Sequence, residues 1–201
     1  MSTVRTPFYG FDHVDLCTEH GDRVGGSYAR WLAGKHPDPD TLRGPANAIP
    51  DETIVTPQAW RTRVPEALYP SRYIADQTCE HLERLASEPD GGPFFIQCSF
   101  PDPHHPFTPP GRYWSMYDPA SIPLPESFGQ GDSPMLCHMR ESLARGEADR
   151  TGTLPYAVSE REAREAIALT YGMITLVDDA IGQVCSALHA TGLAENTVLV
   201  F

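Results

Sequence analysis

The sequence predicts an α/β fold, with helices packed on a mainly parallel sheet, and two observations carry that expectation. Two short apolar runs, 93–100 and 197–201, are each bounded by turn residues, as buried central strands are. Between them lie a polar excursion and a long amphipathic helix, the order of a right-handed crossover between parallel strands. In such sheets functional groups sit in loops just past the carboxyl ends of strands. That directs attention to the loop after Phe100 and to whatever follows Phe201.

The elements read as follows in chain order. Phe8–Cys17 alternates Phe11, His13 and Asp15 against Asp12, Val14 and Leu16, the pattern of a short strand. Residues 36–60 carry Pro37, Pro39, Pro45, Pro50 and Pro57 and read as connecting loop. A helix is expected from Pro70 to Ser87. Proline suits its first turn, Ile74, Thr78, Leu82 and Leu85 recur at helical spacing, and Pro89, Gly91 and Gly92 stop it. The run Pro93–Phe100 is the first buried strand. Eight prolines between Pro101 and Pro125 preclude regular structure there, and a short helix is expected near Cys137–Arg145. The clearest element is a helix from Ser159 to about Thr191. Ser159 and Glu162 form a capping box, and Gly192 is placed to end it. Ile167, Tyr171, Ile174, Val177, Ile181, Val184 and Leu188 define its apolar face. Thr197–Phe201 is the second buried strand, and a chain that stops on such a strand reads as cut.

Composition narrows the function classes. The chain has 201 residues, 40% apolar and 21% charged, with 15 Lys plus Arg against 27 Asp plus Glu and a formal charge of −12. Such a surface repels phosphate backbones, so nucleic acid is not expected as a partner. An enzyme for anionic esters would have to concentrate positive charge locally; simple solvation explains the acidity equally well. No stretch reaches the roughly 18 apolar residues of a membrane helix, and the N-terminus does not read as a secretory signal. Cys17, Cys79, Cys98, Cys137 and Cys185 are scattered without a Cys-x-x-Cys pair. Reduced, mostly buried thiols in a cytoplasmic protein are expected, rather than a zinc site or a disulfide framework.

Three segments carry a family resemblance. The loop Ser99-Phe100-Pro101-Asp102-Pro103-His104-His105-Pro106-Phe107-Thr108-Pro109-Pro110 resembles a Pro-His-x-Pro loop that follows a strand. Tyr171 to Gly182, with Asp178 and Asp179, leads through Gly192-Leu193 and Asn196-Thr197 into Val198-Leu199-Val200-Phe201. Pro7-Phe8-Tyr9-Gly10-Phe11-Asp12 resembles a Gly-Phe-Asp segment. In this order and spacing they are similar to the sulfatases of the alkaline phosphatase superfamily. The resemblance implies a three-layer α/β/α, alkaline-phosphatase-like fold, with 1–201 as a partial catalytic domain. It also implies a sulfuric ester hydrolase acting on a small anionic ester, or on a phosphonate or phosphodiester; a non-catalytic binding module is the alternative of a different class. The cofactors it implies for a longer parent are a formylglycine, made from a Cys/Ser-x-Pro-x-Arg motif, and a divalent cation, usually Ca2+. No metal ligand is assigned among these residues. Pro70-Ser71-Arg72 is not the formylglycine motif, since Leu68 stands where the modified residue would be. Gly34-Lys35-His36 is one residue short of the family's Gly-Lys-x-His.

The candidate site residues follow from the resemblance. His104 matches the histidine that meets the sulfate or the leaving oxygen, a role an imidazole fills near neutral pH; the bland alternative is a loop histidine capping backbone groups. His105 is a weaker, substrate-binding candidate. Asp102 either orients an imidazole or simply forms a turn, and the turn is favoured. Asp178 and Asp179 fit a solvated face or a contact with a neighbouring loop better than a metal site. Tyr113, Trp114 and Tyr117 either line a pocket or cover the sheet. A strand ending at Phe201 would leave an open sheet edge through which the chain could self-associate.

Overall fold

A computed structural model describes residues 5–88, 92–148, 150 and 156–201. Four α-helices organise them: α1 (Ser27–Lys35), α2 (Pro70–Ser87), α3 (Pro134–Ala144) and α4 (Glu160–Ala190). Short 3-10 turns join them, among them Gly111–Ser115 and Pro119–Ser121 within the proline-rich stretch. The expected three-layer sheet is absent. Among the described residues there is no strand, only the isolated bridges Phe8↔Phe11, Ile49↔Arg61 and Ala59↔Phe107.

The correction has a physical reason. An apolar run becomes a strand only where a second backbone meets its donors and acceptors. No backbone hydrogen bond joins 94–100 to 197–201 or to 11–17. The first run is extended but not buried throughout: Phe94, Ile96, Cys98 and Phe100 are half-buried, whereas Phe95 is 76% exposed. The second run is solvated, with Phe201 88% exposed. Residues 8–11 close a tight turn, Phe8 and Phe11 exchanging both backbone hydrogen bonds at 2.9 and 3.0 Å, in place of the expected strand.

The helices follow the local signals more closely. α2 starts with proline at its first turn, and α4 carries the complete Ser159–Glu162 capping box and is followed by Gly192 in the left-handed region (φ 75°). Pro89 and Gly91, expected to stop α2, lie outside the described residues. α1 was not anticipated, although Tyr28, Trp31 and Leu32 stand at helical spacing (i, i+3, i+4). The buried face of α4 matches the expected one only in part: Leu188 is buried, and Ile167, Val177, Ile181 and Val184 are half-buried. Glu162, Glu165, Leu169, Met173, Leu176 and Ala180 face inward, while Tyr171 and Ile174 are exposed.

Two apolar clusters hold these elements together. Val24, Tyr28, Leu32, Tyr73 and Ile74 join α1 to α2, with Cys98 and Phe100 packed on them. Val64, Tyr69, Tyr113 and Leu176 join the residues before α2 to α4, and Leu68 touches both clusters. Each fully buried aliphatic or aromatic side chain contributes roughly 1.5–3 kcal/mol. α2 packs along α4, where Gln183 Nε2 donates to Asp76 Oδ1 at 2.7 Å. The turn at 111–115 lies so close to α4 that a Cβ on Gly172 would sit 2.3 Å from the Tyr113 carbonyl oxygen. Only glycine admits that approach. Of the five cysteines, all free, only Cys79 is buried; the other four are partly exposed. No helix among the described residues is long and apolar enough to cross a membrane.

Candidate active site

A buried carboxylate organises the site. Asp22 is fully buried, and its Oδ2 accepts from Gly44 N (3.1 Å), Trp60 Nε1 (2.9 Å) and Thr62 Oγ1 (2.8 Å). Its own N–H donates to Thr108 Oγ1 at 3.0 Å, and Thr108 in turn meets the Tyr69 hydroxyl at 3.0 Å. The other oxygen of Asp22, Oδ1, has no hydrogen-bond partner among the described residues, so the side chain is held through one oxygen. The network therefore clamps the turn at 20–23 against the proline-rich loop at 101–110. Gly21 makes the closure possible: its φ is +57°, and a Cβ there would lie 2.8 Å from Thr108 Oγ1 and 2.9 Å from the Pro106 carbonyl oxygen.

This clamp brings together three imidazoles. The rings of His20 and His104 stack with centroids 3.7 Å apart and 15° between planes, and His105 lies 4.1 Å from His104. All three are exposed. His104 Nδ1 contacts the His105 carbonyl oxygen; a carbonyl can only accept, so Nδ1 carries the hydrogen and Nε2 is the nitrogen left to gain or lose a proton. Partial burial, and then the His104 ring, push His20 below the ordinary imidazole range, with Glu19 opposing. Partial burial and the His104 and His20 rings push His105 down as well.

His20 and His104, though not His105, line a cleft of about 670 Å3. Residues 95–101, Phe11 and residues 13–17 form walls with Tyr73, Ile74, Gln77 and Thr78 of α2; His13 and His81, stacked at 5.1 Å, also line it. Apolar walls with a few convergent polar groups are what a small-ligand site needs.

The remaining candidates fall elsewhere. Asp102 forms the expected turn, with His104 N donating to the Pro101 carbonyl oxygen at 3.2 Å. It is also 5% exposed and accepts from Ser71 Oγ on α2 at 2.5 Å, so it anchors the loop and touches no imidazole. Burial pushes its carboxyl up to about 6. Asp179 accepts from Arg112 Nη2 (2.7 Å) and Tyr113 Oη (2.6 Å), the neighbouring-loop contact, while Asp178 is exposed. Tyr113 and Trp114 are buried, and the Tyr117 hydroxyl meets Thr175 Oγ1 at 2.8 Å; all three cover α4 away from the cleft. Lys35 and His36 end α1, where Lys35 lies over Trp31. Among the described residues no three His, Cys, Asp or Glu side chains are placed to hold a metal ion.

Sequence reasoning missed His20. Its only local mark is the His20-Gly21-Asp22 turn, and its partner lies far along the chain.

Comparison with known proteins agrees with the motif reading. The sulfatase family model matches residues 24–201. The chain is 28% identical over 149 residues to the multifunctional alkaline phosphatase superfamily protein PehA of Trinickia caryophylli, covering 70% of this chain and 28% of the relative. It is 29% identical over 136 residues to an arylsulfatase of Clostridium perfringens, 68% of this chain and 26% of the relative. Identity to human iduronate 2-sulfatase is 23% over 172 residues, 83% of this chain and 30% of the relative. The chain thus spans between a quarter and a third of the length of these relatives.

Proposed function

The chain belongs to the sulfatase family, and from that membership we propose that it carries part of the active site of a sulfuric ester hydrolase, with His104 as its catalytic residue. The observation that supports this most is the position of His104. It lies directly after the extended 94–100 segment, at the end of a cleft large enough for a small ester, with its Nδ1 engaged by a backbone carbonyl and Nε2 left to carry the exchanging proton. As a nucleophile, which this chain does not supply, bonds to sulfur, the S–O bond to the alcohol breaks and its electron pair goes to the departing oxygen. A protonated Nε2 gives that oxygen its proton, the role of a general acid. His105 takes a supporting part in anion binding from the same loop.

Sulfatases use a divalent cation and a formylglycine. The residues here do not build either. No metal-holding cluster occurs among the described residues, and the sequence contains no Cys/Ser-x-Pro-x-Arg motif. What this chain supplies is one wall of the cleft and the imidazole. The substrate in this reading is a small anionic ester. Phosphonate or phosphodiester hydrolysis is the second reading, favoured by the likeness to a protein named as a multifunctional alkaline phosphatase superfamily member.

Two measurements on the 201-residue chain test the proposal. Titration with p-nitrophenyl sulfate should shift the ring signals of His104 in the NMR spectrum, and His104→Ala should abolish that binding. No hydrolysis of the ester is expected. Turnover by the pure chain would refute the division of labour, and unmoved His104 signals would refute the role of His104.

A further inference from the structure

His20 is held onto His104 by the same network that clamps its turn to the proline-rich loop. A fully buried carboxylate, Asp22, with three donors on one oxygen, fixes a turn that only Gly21 can make, and that turn delivers an exposed imidazole onto His104. The clamp would hold the two loops with any residue at position 20, so the stacked imidazole is the part that packing does not require. An exposed stack of two neutral rings contributes little, and a stack of two charged ones is repulsive. The stack becomes favourable where a third party offsets that repulsion. A tetrahedral oxyanion carries two negative charges and several acceptor oxygens, and protonated imidazoles would hold it by charge-assisted hydrogen bonds.

We propose that His20, His104 and His105 act as one oxyanion-binding cluster, in which His20 contacts the anion directly and binding draws protons onto the rings. This rests on the active-site reading for His104 and extends it to a residue from another segment. The groups facing His20 are His104 and, on its own turn, Glu19; those facing His105 are His104 and His20. Beneath them Asp102 Oδ2 accepts from Ser71 and Asp22 Oδ2 from its three donors, while the Oδ1 of each has no partner among the described residues. The free cluster resists full protonation because its positive charges would lie side by side. Bound sulfate removes that obstacle, so affinity falls as pH rises, by up to about tenfold per unit for each proton taken up.

Calorimetric titration of the full chain with inorganic sulfate, at pH 6.5 in two buffers of different ionisation enthalpy, tests this. Net proton uptake is expected. His20→Ala, an exposed change that leaves the Asp22 network intact, should weaken sulfate roughly fivefold and reduce the uptake. His20→Gln should recover part of the affinity and none of the uptake. Gly21→Ala, which displaces the turn, should resemble His20→Ala with His104 still present; a folded Gly21→Ala protein that binds as tightly as the wild type would contradict the proposal. If His20→Ala binds sulfate with unchanged affinity and uptake while His104→Ala does not bind it, this proposal fails and the role of His104 survives. If neither substitution matters, or wild type shows no binding, both fail.

Discussion

Asp102 sits between two prolines and next to the imidazoles, yet its chemistry is structural. Its carboxyl is buried with one hydrogen bond from Ser71, and its second oxygen, Oδ1, has no partner. Desolvation lifts its proton affinity from the ordinary 3.8 to about 6. The folded state therefore holds this proton to higher pH than the unfolded chain does. The group's contribution to stability is largest below about pH 4 and is lost as pH rises through about 6, a swing on the order of 3 kcal/mol. Asp102→Asn keeps an acceptor for Ser71 and removes the charge. It should be more stable than wild type by about 1–2 kcal/mol at pH 7, with the difference shrinking toward zero at pH 4. Urea unfolding at the two pH values measures this, and a difference independent of pH would contradict it. At the residue scale the contiguous Pro-His-x-Pro made His104 a candidate from sequence alone. His20 was not one, because its meaning depends on Asp22, Gly44, Trp60, Thr62 and Thr108 meeting in space.

At the scale of elements, α4 shows what local rules settle. Its start is set by the Ser159 hydroxyl and the Glu162 carboxylate, which each satisfy a backbone N–H of the other, both legible as Ser-x-x-Glu. Ser159→Ala should cost about 1 kcal/mol and fray the first turn, with Ala163 and its neighbours exchanging amide hydrogens faster. An unchanged exchange rate there would show that tertiary contacts, not the cap, hold the helix start. The apolar periodicity was a poorer guide to the inward face. α4 has two apolar stripes, and the choice between them is made by α2 and the 111–115 turn. The turn needs a residue without a Cβ opposite Tyr113, which places Gly172 inward and leaves its neighbour Tyr171 outward. Glu165 also turns inward, because Val55 N and Thr56 N, both at 2.8 Å, satisfy its carboxylate. Charged residues are normally read as outward, so no pattern of polarity could have shown this.

At the scale of the molecule, the surface carries extended apolar backbone. Phe95, Val198, Val200 and Phe201 are strongly exposed, and residues 198–201 make no backbone hydrogen bond with the other described residues. Unpaired strand-like backbone with β-branched side chains invites pairing with another copy. The chain should self-associate at micromolar concentration through 197–201. Replacing Val198 and Val200 with Lys should return it to a monomer in sedimentation velocity, while leaving the sulfate response of His104 intact. A wild-type chain that sediments as a monomer would exclude this.

The sequence alone was enough for the helices α2 and α4, the Ser159–Glu162 cap of α4 and the family. These rest on neighbours within a few residues, where capping geometry, helical periodicity and contiguous motifs operate. Tertiary structure alone decided three things. The apolar runs 94–100 and 197–201 form no strand because a strand is a relation between two backbones, and among the described residues no second backbone meets either. The inward face of α4 was chosen by what packs on it. His20 reached His104 because a buried carboxylate, stable only with all three of its donors assembled, folds the two loops together.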